Sequence, residues 1–177
     1  MKPKLIILSD LWGLEKSQWI DYYKNNLQNS FEIKCYDSCE LGQLDQSIYS
    51  EEALHKQFIN GGIEIGVQNL LKKEKDDATI LGFSVGGTIG WKYGIARSGI
   101  KSLYAVSSTR LRYEVNKPRG NIALYFGSED NYKPTKDWCN KMNVACIEEI
   151  DKGHQVYMES DFAKKLCKKI INAFALS

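Results

Sequence analysis

A serine between two glycines stands near the middle of the chain, in the run GFSVG at residues 82–86. Glycine two positions to either side of Ser84 suits a strand that turns at once into a helix, because the two elements nearly touch there and a bulky side chain would collide. The apolar run at 78–81 predicts a short buried strand, and residues 87–97 are long enough for a helix. The pattern therefore predicts a nucleophilic serine held at a sharp turn above a sheet.

An acid and a histidine follow the serine, each just after a strand-like run. Asp130 follows the run 122–126, and His154 follows the run 144–150. The carboxyl ends of parallel strands lie at one edge of a sheet, which is where open α/β sheets place their sites. We therefore expect Ser84, Asp130 and His154 to meet at that edge.

The order of serine, acid and histidine resembles that of the α/β-hydrolase superfamily, and the resemblance covers nearly the whole chain. It implies that Ser84 is the nucleophile, that His154 is the general base and later the acid, and that Asp130 orients the imidazole. Glu129 is the alternative acid, although the family's spacing after the strand favours Asp130. The other histidine, His55, is predicted to lie on a helix surface.

The resemblance also implies an oxyanion hole made of two backbone N–H groups. Val85, directly after the nucleophile, supplies one of them. The other comes from the loop after the first strand, where many relatives have His-Gly and this chain has Ser-Asp-Leu at 9–11. The amide of Leu11 or of Trp12 is the candidate, and we predict Trp12. Leu11 and Phe83 are predicted to contact the substrate.

A narrower resemblance concerns the substrate. The run WGL at 12–14 with a later tryptophan, Trp19, is similar to esterases that demethylate pimeloyl-carrier-protein methyl ester in biotin synthesis. The aromatic residue before Ser84 and the double glycine at 86–87 are similar too. This resemblance implies a carrier-protein methyl ester as the substrate. Core packing under the first loop is the alternative explanation for both tryptophans.

A basic run at 110–119 connects two predicted strands at the place where α/β-hydrolases commonly insert a lid. Its cations are Arg110, Arg112, Lys117 and Arg119. The short connection predicts an open site without a lid domain. The run is either a solvated basic loop or a docking surface for an acidic acyl carrier protein or an anionic acyl substrate.

The alternation of strand-like and helical runs predicts one α/β domain over residues 1–177, with helices on both faces of a parallel sheet. Six strands in the order 2-1-3-4-5-6 are expected, at 4–8, 31–36, 78–83, 103–107, 121–126 and 144–150. Helices are expected at 16–28, 50–73, 86–97, 135–142 and 161–174. The pair Gly61-Gly62 is expected to kink or split the second helix, and residues 37–50 give no clear pattern.

Composition narrows the class of protein. The formal net charge is +2, which does not suggest nucleic-acid binding, and no apolar run is long enough for a membrane helix or a signal-peptide core. We therefore expect a cytoplasmic protein. Five cysteines without paired C-x-x-C spacing are expected to be free thiols, and neither a metal nor another cofactor is expected.

These observations predict a serine carboxylesterase that cleaves a small ester through an acyl-enzyme intermediate. An acyl thioesterase is one alternative. A hydrolase-shaped binding protein without catalytic activity is another, because the run at 9–11 departs from the family's usual turn and the lid is missing.

Overall fold

The computed structural model describes residues 2–176, so positions 1 and 177 of the predicted domain lie outside the described residues. All six strands form one parallel sheet in the order β2-β1-β3-β4-β5-β6, as the sequence predicts. The strands are β1 (Lys4–Leu8), β2 (Glu32–Tyr36), β3 (Thr79–Phe83), β4 (Ser102–Val106), β5 (Asn121–Gly127) and β6 (Ala145–Glu149). The near-continuous apolar runs of β1 and β3 follow from the helices that cover both faces of the sheet.

Helices pack on both faces of the sheet. They are α1 (Ile20–Leu27), α2 (Ser38–Leu41), α3 (Glu51–Gln57), α4 (Ile63–Lys73), α5 (Val85–Ala96), α6 (Lys136–Met142) and α7 (Ser160–Ala175). Side chains of β1 alternate between the two layers: Leu5 and Ile7 face α1 and α7, whereas Ile6 and Leu8 face the layer that contains α4 and α5. Within residues 2–176, no helix has the length and apolar character that crossing a membrane requires.

The helical regions differ from the prediction in detail. The helix expected at 50–73 is divided, because Gly61 adopts a left-handed backbone with φ 116° and α4 begins only at Ile63. α1 begins at Ile20, since the preceding residues form turns. The short α2 lies in the stretch that gave no pattern, and Asp37 caps it by accepting hydrogen bonds from the backbone N–H groups of its first turn.

The expectation of five free thiols is wrong for two of the cysteines. Cys139 of α6 and Cys146 of β6 form a disulfide. The chain reverses between them at Asn143, which takes a left-handed conformation, so the helix and the strand bring the two Cα atoms to 6.3 Å. The other three, Cys35, Cys39 and Cys167, are free.

Candidate active site

Ser84 lies at the turn between β3 and α5, where its backbone has φ 50° and ψ −117°. Such a conformation is strained for a residue with a side chain, and strain of this kind is typical of functional positions. Gly82 permits the turn, because a Cβ added there would stand 2.5 Å from the Cα of Gly87. A Cβ at Gly86 would likewise overlap the backbone oxygen of Ser9. The two glycines that frame the motif are therefore required by close backbone approach.

His154 follows β6 and opens a 3-10 turn, His154–Met158. Its Nε2 lies 3.3 Å from Ser84 Oγ. Ser107 Oγ donates a hydrogen bond of 2.6 Å to the backbone oxygen of His154, which fixes this turn against the end of β4. The imidazole is 39% exposed, so it can be reached from the cleft.

Asp130 supplies the third group. Its Oδ2 lies 2.7 Å from His154 Nδ1, and its side chain is only 2% exposed. Burial opposes its ionisation, but the hydrogen bond to His154 and the attraction of the imidazolium outweigh burial and hold the pKa of Asp130 below its usual value. The alternative acid, Glu129, is exposed, and the contact with the imidazole belongs to Asp130. The structure thus brings the serine, the histidine and the aspartate into one hydrogen-bonded line.

The backbone amides of Val85, Trp12 and Leu11 are the candidate donors of an oxyanion hole. Val85 is the first residue of α5, so its N–H has no partner within the helix. The Trp12 amide, which the sequence suggested as the second donor, instead donates to Asp10 Oδ1 at 3.0 Å. Leu11 lines the cleft beside Ser84, and within residues 2–176 its N–H has no hydrogen-bond acceptor.

Asp10 connects the first loop to the histidine turn, a role that sequence reasoning missed. The carboxylate is 1% exposed and accepts hydrogen bonds from Ser17 Oγ at 3.2 Å and from Tyr157 Oη at 3.1 Å, besides the Trp12 amide. Burial raises the pKa of Asp10 above its usual value, although these hydrogen bonds oppose the rise. Burial also strongly raises the pKa of Tyr157. The one sequence signal was the run Ser-Asp-Leu at 9–11, which departs from the turn that the family resemblance implies.

An open cleft of about 1260 Å³ surrounds Ser84. One wall is the first part of α3, with Glu51, Glu52 and His55. Another part of the lining carries cations and aromatic rings, namely Arg110, Arg112, Tyr113 and Tyr132. His55 is exposed on its helix, as predicted, but it faces the cleft. Within the described residues, no three His, Cys, Asp or Glu side chains are grouped to hold a metal ion.

Solved structures with the same architecture are numerous. One from Thermoplasma acidophilum, described as a predicted CIB-like hydrolase, gives a TM-score of 0.70 at 18% identity, with 96% of this chain and 86% of that chain covered. Alpha/beta hydrolase domain-containing protein 10 from mouse gives 0.71 at 12% identity, with coverage of 100% and 92%. This chain has the α/β-hydrolase fold. A Xanthomonas campestris α/β serine hydrolase described as lacking a lid also shares it, with a TM-score of 0.64, 11% identity and coverage of 98% and 83%.

At these identities the likeness concerns the α/β-hydrolase fold alone. No protein-family model and no curated protein sequence matches the chain. The local resemblance to pimeloyl-carrier-protein methyl ester esterases receives no support from the comparisons.

Phe83, which was expected to contact the substrate, is instead part of the core of this α/β-hydrolase fold. It is fully buried, and its ring centroid lies 4.7 Å from those of Trp19 and Tyr23. The prediction is wrong because alternation along β3 turns this side chain to the layer of α1 and α7, away from the cleft. Trp19 packs in the same layer, in agreement with the core-packing explanation.

The four cations of the basic run do not form one surface. Arg110 and Arg112 line the cleft, in the 3-10 turn Thr109–Tyr113. Lys117 donates to the backbone oxygen of Asn143 at 2.8 Å, and Arg119 directly precedes the amino end of β5. Because β4 and β5 are parallel, the chain after residue 113 returns along α5 to the amino ends of the strands. Lys117 and Arg119 therefore lie far from the cleft at the carboxyl ends. This connection holds no lid helix within the described chain.

Proposed function

We propose that the chain is a serine hydrolase that cleaves small carboxylic esters through an acyl-enzyme. The observation that carries this proposal is the line of Ser84 Oγ, His154 Nε2, His154 Nδ1 and Asp130 Oδ2, with separations of 3.3 Å and 2.7 Å. The longer contact is typical of a site that tightens when substrate binds.

In the proposed reaction, Ser84 Oγ attacks the carbonyl carbon of the ester while His154 Nε2 accepts the hydroxyl proton. Asp130 holds the imidazole in the tautomer that leaves Nε2 free and stabilises the imidazolium that forms. The tetrahedral intermediate then expels the alcohol, which takes the proton from His154. Water, activated by the same imidazole, attacks the acyl-serine and releases the acid.

We assign the oxyanion hole to the N–H groups of Val85 and Leu11. Neither N–H has a hydrogen-bond acceptor within residues 2–176, whereas the Trp12 amide donates to Asp10. Trp12 could serve only if its hydrogen bond to the carboxylate broke when substrate bound. An acyl thioester would meet the same groups, because its carbonyl oxygen develops the same negative charge.

A hydrolase-shaped binding protein without catalytic activity is the second candidate. The specific observation that favours it is the hydrogen bond from the Trp12 amide to Asp10 Oδ1, which leaves the expected oxyanion donor engaged. For the esterase, we also propose a location in the cytoplasm and an acidic acyl carrier as partner.

Covalent labelling distinguishes the two candidates. We expect a fluorophosphonate probe to add to Ser84 and short methyl esters to be hydrolysed. The Ser84→Ala variant should lose both the labelling and the turnover, whereas Ser47→Ala, at an exposed serine in a loop, should keep both. An unlabelled wild-type protein that hydrolyses neither free esters nor thioesters would favour the binding protein.

A further inference from the structure

Two tyrosine rings on one wall of the cleft are left unusually exposed. Tyr113 is 61% exposed and Tyr132 is 67% exposed, and both line the cavity that contains Ser84. A single exposed ring is common on a protein surface, but two neighbouring rings that line one cleft form a surface that a ligand can use. Because Ser84 lines the same cleft, a ligand bound at Ser84 shares this space with both rings.

Arg112 holds both rings in place. Its guanidinium lies 4.3 Å from the centre of the Tyr113 ring and 5.6 Å from that of Tyr132. The same group donates hydrogen bonds to Tyr113 Oη at 2.8 Å, to the Tyr132 backbone oxygen at 3.1 Å and to the Thr109 backbone oxygen at 2.9 Å. We call the three side chains Tyr113, Arg112 and Tyr132 the aromatic shelf.

The shelf is ordered before any ligand arrives. Three hydrogen bonds and two stacking contacts hold Arg112, so a ligand that rests on the rings does not have to immobilise flexible side chains first. Arg110 stands 5.4 Å from the Tyr113 ring, and within residues 2–176 no carboxylate pairs with it. The shelf therefore offers ring surface beside a cation that has no carboxylate partner within residues 2–176, which suits an electron-rich planar ring.

The rest of the lining has a different chemistry. Glu51, Glu52 and His55 are polar and exposed, and Leu11 and Met158 are aliphatic, so the shelf is the aromatic part of the lining. An aliphatic chain on the shelf would be stabilised only by the burial of apolar surface. An aromatic ring would bury similar surface and would also make favourable ring-to-ring contacts.

We propose that the aromatic shelf binds the ring of an ester of an aromatic carboxylic acid and so sets the substrate class. This inference rests on the proposed esterase function, since it uses Ser84 as the point to which the ester carbonyl is brought.

Binding to the Ser84→Ala variant tests the shelf without turnover. We expect methyl cinnamate to bind more tightly than methyl hexanoate in calorimetric titrations. Adding Tyr113→Ala or Tyr132→Ala should each raise the Kd for methyl cinnamate about fivefold, because each removes one aromatic pair. The Kd for methyl hexanoate should rise by less than about twofold. Tyr22→Ala, at a half-exposed ring on α1 away from the cleft, is the matched control and should change neither ester.

Turnover by the enzyme with Ser84 intact separates the two proposals. In the tyrosine variants we expect a higher KM for methyl cinnamate with a nearly unchanged kcat. Equal losses on both esters, or no loss on either, would overturn the shelf while leaving the esterase function in place. If the wild type hydrolyses no ester but Ser84→Ala still binds methyl cinnamate in a ring-dependent way, the shelf stands and the esterase function fails.

Discussion

Asp130 is the residue on which the proposed base depends most directly. Its buried carboxylate accepts the hydrogen bond from His154 Nδ1 and thereby leaves Nε2 free to face Ser84. We expect Asp130→Asn to lower kcat on the order of 10³-fold to 10⁴-fold with little change in KM, because the wrong tautomer is then favoured. Steady-state kinetics on a methyl ester measure this loss. Glu129→Gln is the neighbouring control, and an equal loss in that variant would assign the acid to Glu129 instead.

Asp10 gives the stability of the fold a pH dependence of known sign. Because burial raises the pKa of Asp10, its contribution to stability is complete below the pKa of the unfolded chain and is lost as pH rises through the raised value. The Asp10→Asn variant lacks this titrating group. The free energy of unfolding of the variant, relative to that of the wild type, should therefore rise between about pH 4 and pH 7. Urea denaturation at both pH values measures the difference.

Tyr157→Phe is the control for the Asp10 prediction. It keeps the carboxylate but removes the hydroxyl that donates to Asp10 Oδ2. Its stability should therefore change with pH in the same direction as that of the wild type. A relative stability of Asp10→Asn that stays constant or falls as pH rises would contradict the argument.

The three residues of the candidate site could be predicted from the sequence, but their surroundings could not. Ser84, Asp130 and His154 are marked by chemistry and by their positions after strands. Which backbone N–H faces the cleft depends on a hydrogen bond between Asp10 and Trp12 that no residue pattern encodes. The contact between Asp10 and Tyr157, which are 147 positions apart, likewise exists only in the folded chain.

The turn from β3 to α5 is the element most sensitive to added bulk. A Cβ at Gly82 would stand 2.5 Å from the Cα and 2.6 Å from the nitrogen of Gly87, and neither backbone atom can move without shifting α5. We expect Gly82→Ala to cost about 3 kcal/mol of unfolding free energy, at the upper end for overpacking. Gly153→Ala is the control, because a Cβ there meets no atom within 4 Å. Similar unfolding midpoints for the two variants would contradict this view of the turn.

The disulfide between α6 and β6 ties an edge strand to the helix that precedes it. Closing a loop of this length should stabilise the fold by about 2–3 kcal/mol. The free energy of unfolding of the double variant Cys139→Ser/Cys146→Ser, measured by urea denaturation, should therefore be lower than that of the wild type by this amount. Added reductant should reproduce the loss in the wild type. Cys35→Ser, at a free thiol, is the control and should respond to reductant as the wild type does. Wild-type stability that is insensitive to reductant would contradict the prediction.

Strands were easier to predict than short helical turns. The central strands are compact apolar runs because helices cover both faces of the sheet, whereas the edge strands β2 and β6 contain charged residues. α2 and the turn His154–Met158 are each about one turn long, too short to show helical periodicity. The glycine pair at 61–62 did mark the break between α3 and α4, since only glycine readily takes the φ found at Gly61.

The cations of the basic run lie at two different ends of the strands. The carboxyl ends carry the three residues of the candidate site and the cleft, which is lined by Arg110 and also by Glu51 and Glu52. Arg119 lies at the amino edge. A strongly acidic partner would therefore meet both signs of charge at the cleft. We therefore expect attraction to an acyl carrier to depend on Arg110 and Arg112, which line the cleft and have no carboxylate partner within residues 2–176.

Arg110→Ala and Arg119→Ala form a matched pair that tests this distribution. On a carrier-bound methyl ester at low salt, we expect Arg110→Ala to raise KM about threefold to tenfold, because one unpaired cation near the cleft contributes to encounter with an acidic protein. The effect should fall as salt screens the charge. Arg119→Ala, which removes the same charge from the far edge, should leave KM unchanged. Equal changes in the two variants would show that attraction depends on net charge, and an unchanged Arg110→Ala would remove the acidic carrier from the proposal.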